Sequence, residues 1–388
     1  MGTRRHFLAG ATGFAATIAA GGCAVASRPG VATRRRAMFA YVGCYTSKER
    51  KGRGEGIAVY RIDAKSGEWT AEHVVKGVVN PSWLTLDRER RRLYAAHGDG
   101  TDATAFSIDS DSGRVALLNR QPTKGRNGVR LAVDPSNSFA VVANYASGTV
   151  AVLPIKTDGS LGAVTDVFTL RGTPGPHRTE QTSSHPHDVV FEPRGRFLIV
   201  PDKGLDATFV FRLDGARGKL VPAEPGSVTS RPGAGPRHVD FHPLKPYLYQ
   251  INELDSTITT FKFDTERSTL APLQTLTTLP TGFTGTSTTA EIAVAPSGRF
   301  VYGSNRGHDS IAIFGVDDAT GTLSAIGWES TQGRTPRFFA LDPSGAFLYA
   351  ANQDSDTIVA FSVDQATGKL KPTGQVVKTG SPSSIVFR

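Results

Sequence analysis

Residues Gly235–Ile258 read GPRHVDFHPLKPYLYQINELDSTI. Apolar side chains alternate at Val239 and Phe241, then at Tyr247, Tyr249 and Ile251, the period of strands whose successive side chains face opposite ways. The first strand opens on Pro236-Arg237 and the second ends on Asn252-Glu253. Adjacent antiparallel strands place the start of one beside the end of the other, so a cation and an acid share one end of the pair.

The same pattern recurs along the chain. LAVDPSNSFAVVANY, VVFEPRGRFLIVPDK, IAVAPSGRFVYGSNR and FALDPSGAFLYAANQ each hold two apolar strands around a polar turn, the second strand usually ending in Asn. Between these pairs lies a second repeated unit: YRIDAKSGEW, FSIDSDSGRV, LPIKTDGSL, FRLDGARGKL, FKFDTERSTL, FGVDDATGTL and FSVDQATGKL. Its turn residues are Gly67, Gly113, Gly159, Gly218, Ser268, Gly321 and Gly368, spaced by 46, 46, 59, 50, 53 and 47 positions. Asp, Ser and Gly at a hairpin tip supply the positive φ that tight turns require. Four short strands in up-down order per repeat of ~45–60 residues is the period of a β-propeller blade, which cannot bury its faces alone.

This predicts an all-β fold, a seven-bladed propeller over residues 38–388. The chain ends on SPSSIVFR, the first strand of a blade and nothing more. It is expected to complete the N-terminal blade begun by AMFAYVGCYT, closing the ring and hiding both edges. KERKGRGEG (48–56) reads as a long charged surface loop.

The first 26 residues read as an export signal rather than fold. Thr3-Arg4-Arg5-His6-Phe7-Leu8 resembles a twin-arginine motif, and an Ala/Gly-rich apolar run follows that is too short to span a membrane comfortably. Ala24-Val25-Ala26 offers an A-x-A cleavage site. Ala20-Gly21-Gly22-Cys23 offers a competing lipobox-like site and hence a lipid anchor at Cys23. Residues 27–37 read as a linker. The expected location is periplasmic or extracellular, with no membrane span.

The net charge of +9 includes six arginines within residues 1–36, which hold no acid, leaving 9 − 6 = +3 for the rest. That is no nucleic-acid footprint. Cys44 is the one cysteine after Cys23, so the fold has no internal disulfide. The chain is expected to be a monomer.

Aligned on the residue that opens the first strand, the blades give Ser82, Arg130, His187, Arg237, Glu291, Arg337 and Ser383. Aligned on the end of the second strand, they give His97-Gly98, Asn144-Tyr145, Asp202-Lys203, Asn252-Glu253, Asn305-Arg306, Asn352-Gln353 and Cys44-Tyr45. The two positions lie 14 or 15 residues apart, so both sets fall on one face of the disc near its central channel. Convergent polar groups at the mouth of a closed β-structure mark a binding site. Asn144 and Asn352 read as turn caps. Long charged side chains aimed at a channel are costly to desolvate unless paired or bound, which singles out Arg237, Glu253 and Arg306.

At these residues the chain resembles the seven-bladed propeller lactonases, a family that includes a 6-phosphogluconolactonase and the related fungal carboxymuconate cyclases. The resemblance rests on HPHDVVFEPRGRFLIVPDKGLD, GPRHVDFHPLKPYLYQINELDSTI, IAVAPSGRFVYGSNRGHDSIAIF and TPRFFALDPSGAFLYAANQDSDTI and covers residues 38–388. It implies a catalytic set of His187, Arg237, Glu253 and Arg306. Asn252, Asn305, Arg130, Arg337, Gln353 and Asp202 are expected to bind substrate, a small lactone or acidic sugar. The chain departs from the family at Gly128-Val129-Arg130, at LYAAHGDG (93–100) and at Asp202-Lys203-Gly204, where Asp-Leu-Gly is usual.

A lactone hydrolase needs an activated water, oxyanion stabilisation and a substrate clamp. Glu253 and His187 each suit the base, and His187 also suits the acid that protonates the leaving alkoxide. Arg237 and Arg306 offer cationic forks. No metal or cofactor signature is evident. His185, His238 and His242 read as loop or packing residues and His308 as support beside Arg306, while Glu291 is a candidate second acid. No G-x-S-x-G elbow occurs. The same groups would also suit a cycloisomerase or lyase acting on an unsaturated acid, or a propeller that only binds its ligand.

Overall fold

Hairpin tips set the outer geometry of the fold. The turn glycines adopt left-handed backbone, with φ of 72° at both Gly321 and Gly368. A Cβ at Gly321 would meet the Tyr247 ring at 2.5 Å, and one at Gly368 the Phe300 ring at 2.4 Å. Glycine is thus required there twice over, by conformation and by the aromatic ring of the preceding blade.

The computed structural model describes residues 38–388. The expected signal segment, the linker and Cys23 lie outside the described residues. Seven four-stranded antiparallel sheets follow one another, six with their strands in simple sequence order and the seventh joining the last strand to the first three. Blades 1 to 7 open on the inner strands Trp83–Leu86, Gly128–Val133, Val190–Phe191, Pro236–Phe241, Thr288–Val294, Pro336–Leu341 and Pro382–Phe387. The last pairs antiparallel with Met38–Cys44, Tyr41 opposite Val386, so strands from both ends of the described chain make blade 7. This is the expected all-β propeller and the expected closure.

Between blades lies a continuous apolar seam. Tyr249, Leu248 and Ile251 of blade 4 and Val301 and Phe314 of blade 5 are completely or almost completely buried. The seam is pinned by a repeated hydrogen bond. Tyr41, Tyr94, Tyr249, Tyr302 and Tyr349 each donate a buried hydroxyl to the carbonyl of a turn glycine in the next blade, at 2.9–3.0 Å. The 48–56 loop adds two clamps beside the closure. Arg50 pairs with Asp99 of blade 1 at 2.5 Å, and Arg53 pairs with Asp356 of blade 6 at 2.6 Å.

Candidate active site

The inner strands enter the channel through β-bulges, and these decide which side chains face it. In blade 4, Pro236 pairs with Asn252 and His238 with Ile251, which leaves Arg237 as the extra residue. Blade 6 repeats this with Arg337, and blade 7 with Ser383. A bulge re-aims side chains, here into the channel. In blade 2, however, Gly128 pairs with Asn144 and Arg130 with Ala143, so Val129 is the bulged residue. In blade 5, Thr289 pairs with Asn305 and Ile292 with Gly303, which places Glu291 one residue past the position of Arg237.

The channel therefore has two tiers. His187, Arg237 and Arg337 belong to the upper one, and Arg130 and Glu291 to the tier below. This corrects the alignment that put all five in one ring. In the lower tier Arg130 lies 2.7 Å from Asp188 and stacks over Trp83 at 3.7 Å. His238 Nδ1 lies 3.1 Å from Glu291 Oε2. Burial raises the Glu291 carboxyl to about 8, so at neutral pH it is protonated and donates to a neutral His238.

The upper tier is built around Glu253, which is 8% exposed. Lys203 Nζ reaches its Oε1 at 2.9 Å. Arg237 Nε donates to Oε2 at 2.8 Å, and an Arg306 nitrogen stands 3.2 Å from that same oxygen. Burial alone would raise this carboxyl, but Arg306, Lys203 and Arg237 outweigh it and hold it well below the usual glutamate range. Burial pulls Arg237 down to about 10, so it stays charged at neutral pH. Glu253 holds Lys203 above the ordinary lysine value in spite of its burial.

His187 is 5% exposed, and its Nε2 lies 4.0 Å from Glu253 Oε2, beyond hydrogen-bond length. Its Nδ1 has no partner. Burial, then Arg237, keeps this imidazole well below its usual value and therefore neutral. Edge-on contacts with Tyr145 at 5.4 Å and His238 at 5.1 Å fix the ring. His187, Arg237, Arg337, Ser82 and Ser383 line a cavity of about 20 Å³, room for a single water. Arg337 meets no carboxylate among the described residues, and its guanidinium lies 5.3 Å from the Tyr45 ring centroid.

Residues 39–387 match the family model "Lactonase, 7-bladed beta-propeller". The chain belongs to the seven-bladed β-propeller lactonases. It is 35% identical to a 6-phosphogluconolactonase of Bacillus subtilis over 303 residues, 77% of this chain and 83% of that one. It is 33% identical to a 6-phosphogluconolactonase of Formosa agariphila over 77% of this chain and 85% of that one. Among solved structures it resembles the periplasmic gluconolactonase of Pseudomonas aeruginosa, with a TM-score of 0.84 and 34% identity over 90% of this chain and 99% of that one.

In this lactonase the four residues His187, Arg237, Glu253 and Arg306 converge as a group. Several expected substrate ligands do not join them. Asn252 and Asn305 are buried caps: Asn252 bonds Thr257, Thr259 and Gln250, and Asn305 bonds Thr278 and Ser310. Asn144 bonds Thr123 in the preceding blade, and Asn352 bonds Thr331. Asp202 is fully buried, and its carboxylate accepts from Ser184 and from the backbone of His185, Gly204 and Leu205. The amide of Gln353 donates to Asp354, and its carbonyl oxygen is buried without a partner. His185 stacks on Tyr145 at 4.4 Å, and His308 Nδ1 bonds Ser310. Arg306 also donates to Thr289 O at 2.6 Å, which ties it to its own blade.

Two charged residues at the centre were absent from the expected set. Lys203 occupies the strand-end position that Glu253 holds in the next blade, and that alignment was its signal. Glu180 pairs with Lys203 at 2.6 Å and comes from the long connection between blades 2 and 3. Nothing periodic in the sequence points to it.

Proposed function

We propose that this lactonase hydrolyses a sugar or related lactone to the open hydroxy acid without a metal, using His187 as the base that activates water at the channel mouth. The observation that carries the proposal is the state of His187: buried, neutral, unpartnered at Nδ1, and beside a water-sized cavity shared with Arg237 and Arg337. Glu253 is the weaker candidate on geometry: Lys203, Arg237 and Arg306 already engage both of its oxygens, whereas His187 Nδ1 is free to accept a water proton.

The reaction balances as follows. Water oxygen attacks the lactone carbonyl carbon while His187 takes a water proton. The carbonyl oxygen becomes an oxyanion facing the Arg237 and Arg337 guanidiniums. Glu253, 4.0 Å from His187 Nε2, stabilises the imidazolium formed in that step. The tetrahedral carbon then expels the ring oxygen, which takes the proton back from His187 and leaves as the hydroxyl of the product. The new carboxylic acid loses its proton to solvent. Metal independence is supported by electrostatics: Lys203, Arg237 and Arg306 already engage both oxygens of Glu253, a field hostile to a divalent cation.

Acid release from glucono-δ-lactone, followed by pH-stat and corrected for spontaneous hydrolysis, tests the assignment. His187→Ala is expected to lose about 10²–10⁴-fold in kcat, the usual worth of a positioned base. A His187→Ala enzyme at the wild-type rate would sink it. We also infer export, on the Thr3–Leu8 motif and on the likeness to a protein described as periplasmic.

A further inference from the structure

The connection between blades 2 and 3 is the longest departure from the repeat, with 59 positions between Gly159 and Gly218. Its extra residues run from 171 to 186 and are tied onto the site. Gln181 is buried, donates its amide to Lys203 O at 2.9 Å and accepts from His177 N at 3.0 Å. Gly175 N donates to Gly204 O at 2.9 Å. These bonds bracket Lys203-Gly204 and hold Glu180 against the Lys203 ammonium at 2.6 Å.

Lys203 thereby meets two carboxylates, Glu253 on the protein side and Glu180 on the solvent side. Its side chain is only 4% exposed, whereas that of Glu180 is 44% exposed. Glu180 thus stands where an anionic substituent of a substrate would have to sit to reach Lys203. A negative group entering the mouth meets a like charge in place, and displacing that charge removes an ion pair.

We propose that Glu180 is a specificity-determining residue that makes this site select uncharged sugar lactones over phosphorylated or carboxylated ones. The inference rests on the lactonase reading above and adds the class of substrate. Arg337 remains for the lactone oxygens, while the cation best placed to recognise a remote anion is already occupied. The proteins this chain resembles include both a 6-phosphogluconolactonase and a gluconolactonase, so such a filter would separate chemistries found within one family.

The test compares kcat/KM for glucono-δ-lactone and 6-phosphoglucono-δ-lactone in the full chain and in Glu180→Gln and Glu180→Asp. Glu180→Gln is expected to raise the ratio of phosphorylated to unphosphorylated activity at least about tenfold, because removing a like charge a few ångströms from a phosphate is worth that much even when partly solvated. Glu180→Asp, which keeps the charge, should leave the ratio within about threefold. Equal losses on both lactones in Glu180→Gln would show that Glu180 only positions Lys203, and would overturn the proposal. A second readout does not depend on turnover. Calorimetric binding of 6-phosphogluconate should tighten about tenfold in Glu180→Gln, whereas binding of gluconate should change much less. If the wild type hydrolyses neither lactone, the catalytic reading fails, and the binding ratio still decides the role of Glu180: an unchanged ratio overturns it.

Discussion

Arg237 donates Nε to Oε2 of Glu253 at 2.8 Å, yet Arg237 owes its position to a bulge and Glu253 to the turn after the neighbouring strand. The contact ties the start of an inner strand to the end of the next one. Arg306 reaches the same oxygen from blade 5, and Lys203 reaches the other oxygen from blade 3. One carboxylate therefore joins three consecutive blades at the channel mouth and neutralises part of a concentrated positive field.

Removing that charge is expected to be costly. Glu253→Gln leaves Lys203, Arg237 and Arg306 buried or half-buried without their shared anion. Breaking a buried ion pair from one side typically costs about 3–5 kcal/mol. Urea unfolding should show a loss of about that size, together with a fall in kcat because the imidazolium of His187 loses its stabilising neighbour. Unchanged stability would mean that the three cations find other partners.

Arg337 makes the opposite case. It lines the cavity with His187 but pairs with no carboxylate among the described residues. Arg337→Ala breaks no buried ion pair and loses only the contact with the Tyr45 ring, so stability should fall by no more than about 1 kcal/mol. Its kcat should fall by about 10²-fold or more if the guanidinium faces the oxyanion. A variant that loses stability but keeps kcat would assign Arg337 to the fold instead.

The blade period, the turn glycines and the closure by SPSSIVFR were legible because they follow from local patterning repeated seven times. The convergence of His187, Arg237, Glu253 and Arg306 was legible because strand ends must share a face. What was misread came from bulge register. Arg237, Arg337 and His187 lie 15 positions before the end of their second strand, whereas Arg130 and Glu291 lie 14 before it. That one-residue difference is the difference between the tiers, and it was visible as a spacing before it had a structural meaning. Asn252 and Asn305 share their positions with residues flanking the site, so residue type alone could not show that their amides face inward. Glu180 sits in a non-repeating loop, where only tertiary contacts reveal its place.

The interblade tyrosines give a prediction confined to stability. Tyr249 is fully buried and donates to Gly321 O at 2.9 Å. Tyr249→Phe keeps the ring but leaves that carbonyl without its donor, which costs about 1–3 kcal/mol when the acceptor is buried. The urea midpoint should fall accordingly, with kcat and KM unchanged because the Gly321 turn lies at the opposite end of its strands from Asn305 and Arg306. A change in KM would mean that blade spacing is transmitted to the mouth.

The lower tier predicts how stability depends on pH. An unfolded glutamate titrates near 4.5, whereas folded Glu291 titrates near 8. Between those values the native state holds one proton more than the unfolded chain at this site, so Glu291 makes stability fall as pH rises. His187 and His238 act in the reverse sense. They are neutral in the fold and charged when unfolded below about 6.5, so their contribution rises with pH up to that value. Below 6.5 Glu291 is joined by Asp240, which burial raises to about 6, so the buried carboxyls and the buried histidines act in opposite senses there. From there to about 8 only Glu291 among the three still titrates, with a slope of at most about 1.4 kcal/mol per pH unit. Thermal unfolding should therefore give a midpoint that declines from pH 6.5 toward 8. In Glu291→Gln, which keeps a donor toward His238 and has no proton to lose, the decline above pH 6.5 should vanish. A wild-type midpoint that stays level between pH 6.5 and 8 would show that Glu291 is ionised in the fold and that the contact with His238 is an ion pair.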